Sequence, residues 1–168
     1  MDHSFIIVSL IVVGLVAIPY YLFISAGTSE TKKIALKIKK VVLENNLQIS
    51  QDERWNHKYI GIDTQQKVLV FLKAATAENA VSQDTVQILN LAHVKNCLVI
   101  EHRKGNKANA VLERLDLQIH LINGTSQLLN FYNLDDNDAE DYEVQRAEKW
   151  KTIITTQLRA GASVKRAA

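Results

Sequence analysis

The distribution of apolar residues divides the chain into an uncharged first part and a charged remainder. Residues 5–24, FIIVSLIVVGLVAIPYYLFI, contain no charged side chain. A helix of about 20 residues is roughly 30 Å long and matches the hydrocarbon thickness of a bilayer, whereas the apolar core of a signal peptide usually has about 7 to 15 residues. A buried helix of a soluble protein is the alternative, but such helices are usually shorter and have a polar face. The pattern therefore predicts a transmembrane helix over residues 5–24.

The charges on either side of this segment predict its orientation. The N-terminal residues MDHS lack the basic region of a cleaved signal peptide, so we interpret the small-residue spacing in Ser25-Ala26-Gly27 as coincidental. Residues 29–46 have apolar side chains at helical spacing and predict a basic juxtamembrane helix. Its lysines are expected at the membrane surface: Lys32, Lys33, Lys37, Lys39 and Lys40. Because basic flanks stay on the cytoplasmic side, we expect a single-pass protein of the inner (cytoplasmic) membrane with a cytoplasmic C-terminal domain.

From residue 47 onward the apolar positions begin to alternate, which is typical of half-buried strands. Residues 58–63, KYIGID, and 68–73, VLVFLK, flank a turn-like stretch and predict a hairpin. Four later segments, TVQILNL, KNCLVIEHRK, VLERLDLQIHLI and SQLLNFYN, predict further strands. Asn123-Gly124 separates the last two, and we expect a type I′ turn there, which needs positive φ at both central residues.

The C-terminal segment combines an acidic run with apolar residues at helical spacing. The acidic residues within 135–143 suit a helix N-terminus, where unpaired backbone N–H groups favour negative charge. A calcium loop is excluded because the run lacks the alternating ligand order and the glycine at the sixth position. One face of the helix carries the following apolar residues: Val144, Ala147, Trp150, Ile153, Ile154 and Leu158. We predict an amphipathic helix that covers the sheet, followed by a basic tail at residues 159–168.

Residues 47–158 resemble the pleckstrin-homology-like (PH-like) fold, in particular the bacterial PH-like and GRAM-like domains. The resemblance rests on the hairpin YIGIDTQQKVLVFLK, the pair ILNLAHVKNCLVIEH, and the final helix with Trp150. It implies an α+β domain in which an antiparallel sheet or partly closed barrel is capped by the C-terminal helix. Members that bind inositol lipids carry several basic residues between the first two strands. Here that turn offers Lys67 alone, so the resemblance favours a protein partner.

Composition and motifs give little indication of catalysis. The formal net charge is +2, which provides no general attraction to nucleic acid. The five histidines are scattered without metal-ligand spacing, and the chain has no P-loop, GxGxxG or GxSxG motif. Cys97, the single cysteine, lies in the apolar stretch NCLVI and is predicted to be a buried thiol. We therefore expect no enzyme activity, no cofactor and no metal.

The functional expectation is a single-pass membrane protein whose cytoplasmic PH-like module binds or scaffolds a protein partner. The alternative is a sensor of anionic lipid surfaces, in which the juxtamembrane lysines contact headgroups. Residues 74–84, AATAENAVSQD, form the longest interruption between predicted strands. Because long loops in compact domains are often functional, this segment is a candidate binding site, with a solvated connector as the alternative.

Overall fold

The computed structural model describes residue 32 and residues 34–75, 84–105, 110–136 and 142–166, the last of these with backbone only from residue 161. The chain divides into two units, residues 1–41 and 42–168. Helix α1 covers residues 34–44. Among the described residues no helix is long and apolar enough to cross a membrane. The predicted span over residues 5–24 lies outside the described part of the chain.

The first sheet of the larger unit is an antiparallel meander of four strands in the order β1-β2-β3-β4. The strands are β1 (Gln51–Trp55), β2 (Lys58–Asp63), β3 (Val68–Lys73) and β4 (Thr85–Asn90). The β2–β3 hairpin that the alternating pattern predicts is confirmed, with Lys58 opposite Lys73 and Asp63 opposite Val68.

The second sheet is a meander of three antiparallel strands, β5 (Val94–Lys104), β6 (Val111–Leu121) and β7 (Ser126–Asn133). A 3-10 helix at Leu91–His93 connects the sheets, and another at Leu134–Asp136 follows β7. The domain is thus α+β with antiparallel sheets and a C-terminal helix, as predicted. The described strands form two separate sheets that are not closed into a barrel, which corrects the expectation of one sheet or a partly closed barrel.

The apolar core lies between the inner faces of the two sheets. Ile60, Ile62 and Phe71 of the first sheet belong to the same buried cluster as Leu117 and Phe131 of the second, and all five are at most 1% exposed. The alternating apolar positions of each strand produce this arrangement, because side chains two residues apart point to the same face. Two apolar inner faces therefore pack against each other to form the core.

Aromatic side chains fill the part of the core where β1 approaches β7. The rings of Trp55 and Phe131 lie 5.0 Å apart between centroids, and those of Phe71 and Phe131 lie 6.0 Å apart. The indole Nε1 of Trp55 donates a hydrogen bond to the backbone oxygen of Phe131 at 3.1 Å. Trp55 thus links the first sheet to the second, and its one polar atom is satisfied.

Helix α2 (Glu143–Arg166) closes the remaining side of the core and continues through the stretch that the sequence assigned to a tail. Its predicted apolar face is confirmed: Ala147, Trp150 and Ile154 are fully buried, and Val144, Ile153 and Leu158 pack against the same cluster. Cys97 is buried as expected and its thiol lies 3.7 Å from the backbone oxygen of Lys151. Burial raises the pKa of this thiol, which disfavours the reactive thiolate.

A polar clamp holds α2 to β1. The Glu53 carboxylate accepts hydrogen bonds of 2.9 Å from each of three donors: Arg146 Nε, Lys149 Nζ and Trp150 Nε1. Burial raises the pKa of Glu53, but the three donors outweigh it, and the net shift lowers the pKa below its usual value. A lowered folded-state pKa means that the clamp contributes its full stability above the unfolded pKa. That contribution is lost as the pH falls through the folded pKa.

Hydrogen bonds to the Asp63 side chain fix the turn between β2 and β3. The buried Asp63 carboxylate accepts the backbone N–H groups of Gln48, Gln65 and Gln66 at 2.7, 2.9 and 2.8 Å. The Gln66 N–H lowers the pKa of Asp63 most, burial opposes it, and the other two N–H groups lower it further. This one side chain therefore fixes the β2–β3 turn and the segment before β1.

The turn between β6 and β7 differs from the type I′ prediction. Leu121 N donates to Thr125 O at 2.8 Å, and Gly124 N donates to Leu121 O at 3.1 Å, which makes a three-residue loop. Gly124 has a φ of 86°, whereas Asn123 is not in the positive-φ region. Asn123 instead accepts the Thr125 N–H at 3.0 Å through its side chain. The loop therefore needs left-handed backbone only at the glycine.

The acidic run is divided between two elements. Asp135 and Asp136 lie in the 3-10 helix after β7, and only Glu143 lies in the first turn of α2. Asp138, Glu140 and Asp141 lie outside the described residues. The capping role predicted for the run is therefore not performed by Asp135 or Asp136, because α2 begins several residues later.

Replacing Trp150 with alanine is expected to cost about 3–5 kcal/mol of unfolding free energy, since a fully buried ring would leave a cavity between α2 and the sheets. The matched variant Trp150→Phe keeps most of the buried area and loses the hydrogen bond to Glu53, so its cost should not exceed about 3 kcal/mol. Chemical denaturation of the chain from residue 29 onward measures both values. Variants as stable as the parent would show that α2 does not dock.

Candidate binding surface

Most of the lysines predicted at the membrane surface lie on α1 or immediately before it. Lys32, Lys39 and Lys40 are exposed and Lys37 is half-buried, while Lys33 lies outside the described residues. The apolar positions of the same stretch differ in burial: Ile38 is 6% exposed, and Ile34, Val41 and Val42 are half-buried. Two exposed lysines thus lie on α1, and a third, Lys32, precedes it.

A buried ionic network, which the sequence pattern did not reveal, links the two sheets at the end where β2 begins and β3 ends. It comprises Lys58, Lys73, Asp116, Asn130 and Asp136. Lys58 and Lys73 are directly opposite each other on neighbouring strands, an unfavourable arrangement for like charges. Asp136 compensates, because its carboxylate lies 2.6 Å from Lys73 Nζ and 3.9 Å from Lys58 Nζ.

The network continues into the second sheet through Asn130. Its side-chain oxygen accepts from Lys73 Nζ at 3.3 Å, and its nitrogen donates to Asp116 Oδ1 at 3.0 Å. Arg114 Nε donates to the other oxygen of Asp116 at 2.6 Å, and His102 Nε2 lies 3.8 Å from that oxygen. Lys58 and Asp116 are each about 1% exposed. The charged groups of this network are therefore engaged with one another, and the arrangement is suited to fastening the end of β7 to the first sheet.

Each sheet also has an outward face, which points away from the core and carries exposed apolar side chains. Leu98 of β5 and Leu128 of β7 lie on either side of Gln118 of β6 and are 46% and 42% exposed. On β4, Val86 and Ile88 are 43% and 44% exposed. We name these four residues the apolar strip.

Gln87 links β4 to β7, two of the strands that carry residues of the apolar strip. It lies between Val86 and Ile88, and its Nε2 donates to the backbone oxygen of Leu128 at 3.2 Å. Its side-chain oxygen is buried without a hydrogen-bond partner among the described residues. The open edges of β4 and β7 are therefore joined by a side chain.

The two other sheet edges carry features that oppose strand addition. β1 has the sequence QDERW, with three consecutive charged residues. β5 has register shifts after Val94 and after His102, and its C-terminal half is rich in charged side chains. Charges and bulges on an edge prevent the regular pairing that another strand would need. A partner is therefore better accommodated by side chains on a face than by backbone pairing.

The loop predicted as a binding site can be described only at its base. Ala75 N donates to a carboxylate oxygen of Asp84 at 2.9 Å, which brings the end of β3 and the residue before β4 together. Residues 76–83 lie outside the described residues, so the candidate site in this loop stays a prediction.

Candidate chemistry at histidines is limited in the described part of the chain. The Nδ1 atom of His120 lies 2.8 Å from Ser126 Oγ, a distance that suits a nucleophile and its base. No described carboxylate is hydrogen-bonded to the second ring nitrogen, so the pair lacks the third group that orients a catalytic base. Within the same residues, no group of three or more histidine, cysteine or acidic side chains is placed to hold a metal ion.

Comparison with known proteins gives no relative, since no family model, no curated protein and no solved structure matches the chain.

Asp136→Asn should lower the unfolding free energy by about 2–5 kcal/mol, because it leaves two facing lysines without their carboxylate. Asp135→Asn, on the exposed neighbouring residue of the same 3-10 helix, provides the matched control and should change stability little. The double variant Lys58→Met with Asp136→Leu should recover most of the loss. Equal stability of Asp136→Asn and Asp135→Asn would show that the ionic network does not fasten the sheets.

Proposed function

We propose that the chain is a single-pass membrane protein whose cytoplasmic domain has a PH-like fold and binds a protein partner. The resemblance implies antiparallel strands followed by a closing C-terminal helix, and the order of strands and helix in the domain supports it. The uncharged segment at residues 5–24 and the lysines after it support the membrane anchor and its orientation. In this arrangement the protein presents a small binding module at the inner face of the membrane.

The apolar strip is the observation that carries the choice of a protein partner. Four large aliphatic side chains on the outward faces of β4, β5 and β7 are each more than two-fifths exposed. Exposed apolar groups of this kind are stabilised when a partner removes them from water, at roughly 25 cal/mol per Å² of buried area. Because the strip has no aromatic or arginine anchor, the affinity should be modest.

The ionic network also favours a protein partner, because it makes recognition of a lipid headgroup by its lysines less favourable. Lys58 and Lys73 lie at the strand ends next to the β1–β2 turn, and Asp136 neutralises part of their charge. A phosphate that entered this site would have to displace a carboxylate bound at 2.6 Å. The buried Lys58 and the half-buried Lys73 are therefore poorly placed to drive attraction to anionic lipid.

A sensor of anionic lipid surfaces is the second candidate, and the exposure of Lys32, Lys39 and Lys40 favours it. Each lysine near an anionic surface contributes on the order of 1 kcal/mol. Binding of this kind is screened by salt and needs no partner. The chain from residue 29 onward, mixed with vesicles that contain phosphatidylserine, distinguishes the two functions: vesicle binding that is lost at high salt, with no protein partner recovered, would support the sensor.

Leu128→Asp should lower recovery of the partner by about tenfold or more, because a charge at the centre of the apolar strip must be desolvated on binding. Val111→Asp provides the matched control, since Val111 is 55% exposed but lies outside the strip. Both variants of the chain from residue 29 onward are compared by lipid-free pull-down with chemical cross-linking, and circular dichroism checks folding. Full recovery of the partner with folded Leu128→Asp would exclude the apolar strip as the interface.

A further inference from the structure

A concave site lies at the start of β5, away from the ionic network. Its cavity has a volume of about 260 Å³ and is lined by Lys95, Asn96, His120, Leu121, Ile122 and Gly124. The pairing of β5 with β6 shifts register between Val94 and Asn96, so Lys95 is the extra residue of a bulge. Bulges redirect side chains and are common beside functional sites. Here the bulge residue, Lys95, is one of the residues that line the cavity.

The polar residues that line this cavity can all donate hydrogen bonds, and none of them is acidic. Lys95 and Asn96 are exposed, and within the described residues neither side chain makes a hydrogen bond or ion pair. None of the six lining residues is acidic. An anion that entered the cavity would therefore meet no competing carboxylate from the lining.

Ser126 orients the histidine of this cavity. Its Oγ lies 2.8 Å from His120 Nδ1. When the hydroxyl donates to Nδ1, the neutral ring carries its proton on Nε2, because the partner of one ring nitrogen sets the tautomer of the other. Nε2 is then the ring nitrogen that can donate a hydrogen bond to a ligand.

The backbone at Gly124 keeps one wall of the cavity open. A Cβ atom built at this glycine would meet nothing within 4 Å, but its φ of 86° is a conformation that residues with side chains rarely adopt. The three-residue loop thus favours glycine, and Leu121 and Ile122 provide apolar contact beside it. The cavity combines a charged donor, two polar side chains and an apolar wall, which is the usual composition of a small-ligand site.

We propose that this cavity, the Lys95–His120 pocket, binds the phosphate group of a small phosphomonoester. Lysine is a common phosphate ligand, because its ammonium group acts as a point charge that a phosphate oxygen can approach from any direction. The cavity volume accommodates a phosphate together with a small attached group. The same chemistry is offered by a soluble phosphate compound and by the exposed phosphate of phosphatidic acid.

The test uses the full chain in neutral detergent micelles and inorganic phosphate as the probe. Titration with phosphate at constant ionic strength should shift the NMR signals of Asn96, Gly124 and the His120 ring in a saturable manner. Lys95→Gln should weaken the binding by about tenfold, the effect of losing one hydrogen bond to a charged group. Lys104→Gln, which changes an exposed lysine at the opposite end of β5, should leave the binding unchanged. Absence of saturation, or equal weakening by the two substitutions, would overturn the proposal.

A second arm identifies the source of the phosphate. Vesicles of neutral lipid with and without phosphatidic acid are offered to the parent chain and to Lys95→Gln. Preferential binding of the parent to phosphatidic acid, reversed by inorganic phosphate, would support the pocket with a lipid as its ligand. Saturable phosphate binding without this preference would support it with a soluble ligand. Because the apolar strip is elsewhere on β4, β5 and β7, the Leu128→Asp variant should keep its phosphate binding whether or not a protein partner binds there.

Discussion

The packing of α2 over two separate sheets is the interaction on which the domain depends. Among the described strands no strand of one sheet pairs with a strand of the other, so backbone hydrogen bonds do not join them. The sheets are held instead by their shared apolar core, in which Trp150, Ala147 and Ile154 of α2 are fully buried. The Glu53 clamp then fixes the position of the helix along β1, because three donors from α2 converge on one carboxylate.

The polar contacts at the sheet junctions have a different role from the core. Gln87 joins β4 to β7, and the ionic network joins the ends of β2 and β3 to the end of β7. Such buried polar groups add little net stability compared with well-packed apolar residues, but they penalise alternative arrangements that leave a charge unpaired. They therefore favour one alignment of the two sheets. The outward surfaces remain available for binding, and this is where the apolar strip and the Lys95–His120 pocket lie.

The sequence was most informative where one face of an element is buried and the other is not. Alternation predicted the β2–β3 hairpin, and helical spacing predicted the face of α2 that carries Trp150. β1 was not recognised as a strand, because only Trp55 of its five residues is buried and pairing with β2 determines its conformation. The β6–β7 connection was recognised as a turn. Its type depends on the number of loop residues, and that number depends on where the pairing of the two strands ends.

The candidate sites were harder to predict, because they depend on contacts and on a bulge that the local sequence pattern does not encode. Lys58 is buried although lysine is rarely buried without a partner, and its partner Asp136 is distant in the sequence. The Lys95–His120 pocket depends on a bulge that changes which side chains are adjacent, and an alternating pattern does not encode that change. The predicted membrane segment and most of the 74–84 loop lie outside the described residues, and both stay predictions.

Native-state hydrogen exchange of the full chain in neutral micelles tests most directly whether α2 makes the two sheets one cooperative unit. The slowest-exchanging amides of β3 and of β6, the strands paired on both sides in their sheets, should report the same free energy of opening. Added denaturant should lower both values with the same slope. Loss of protection in one sheet while the other stays protected would contradict a single unit closed by α2.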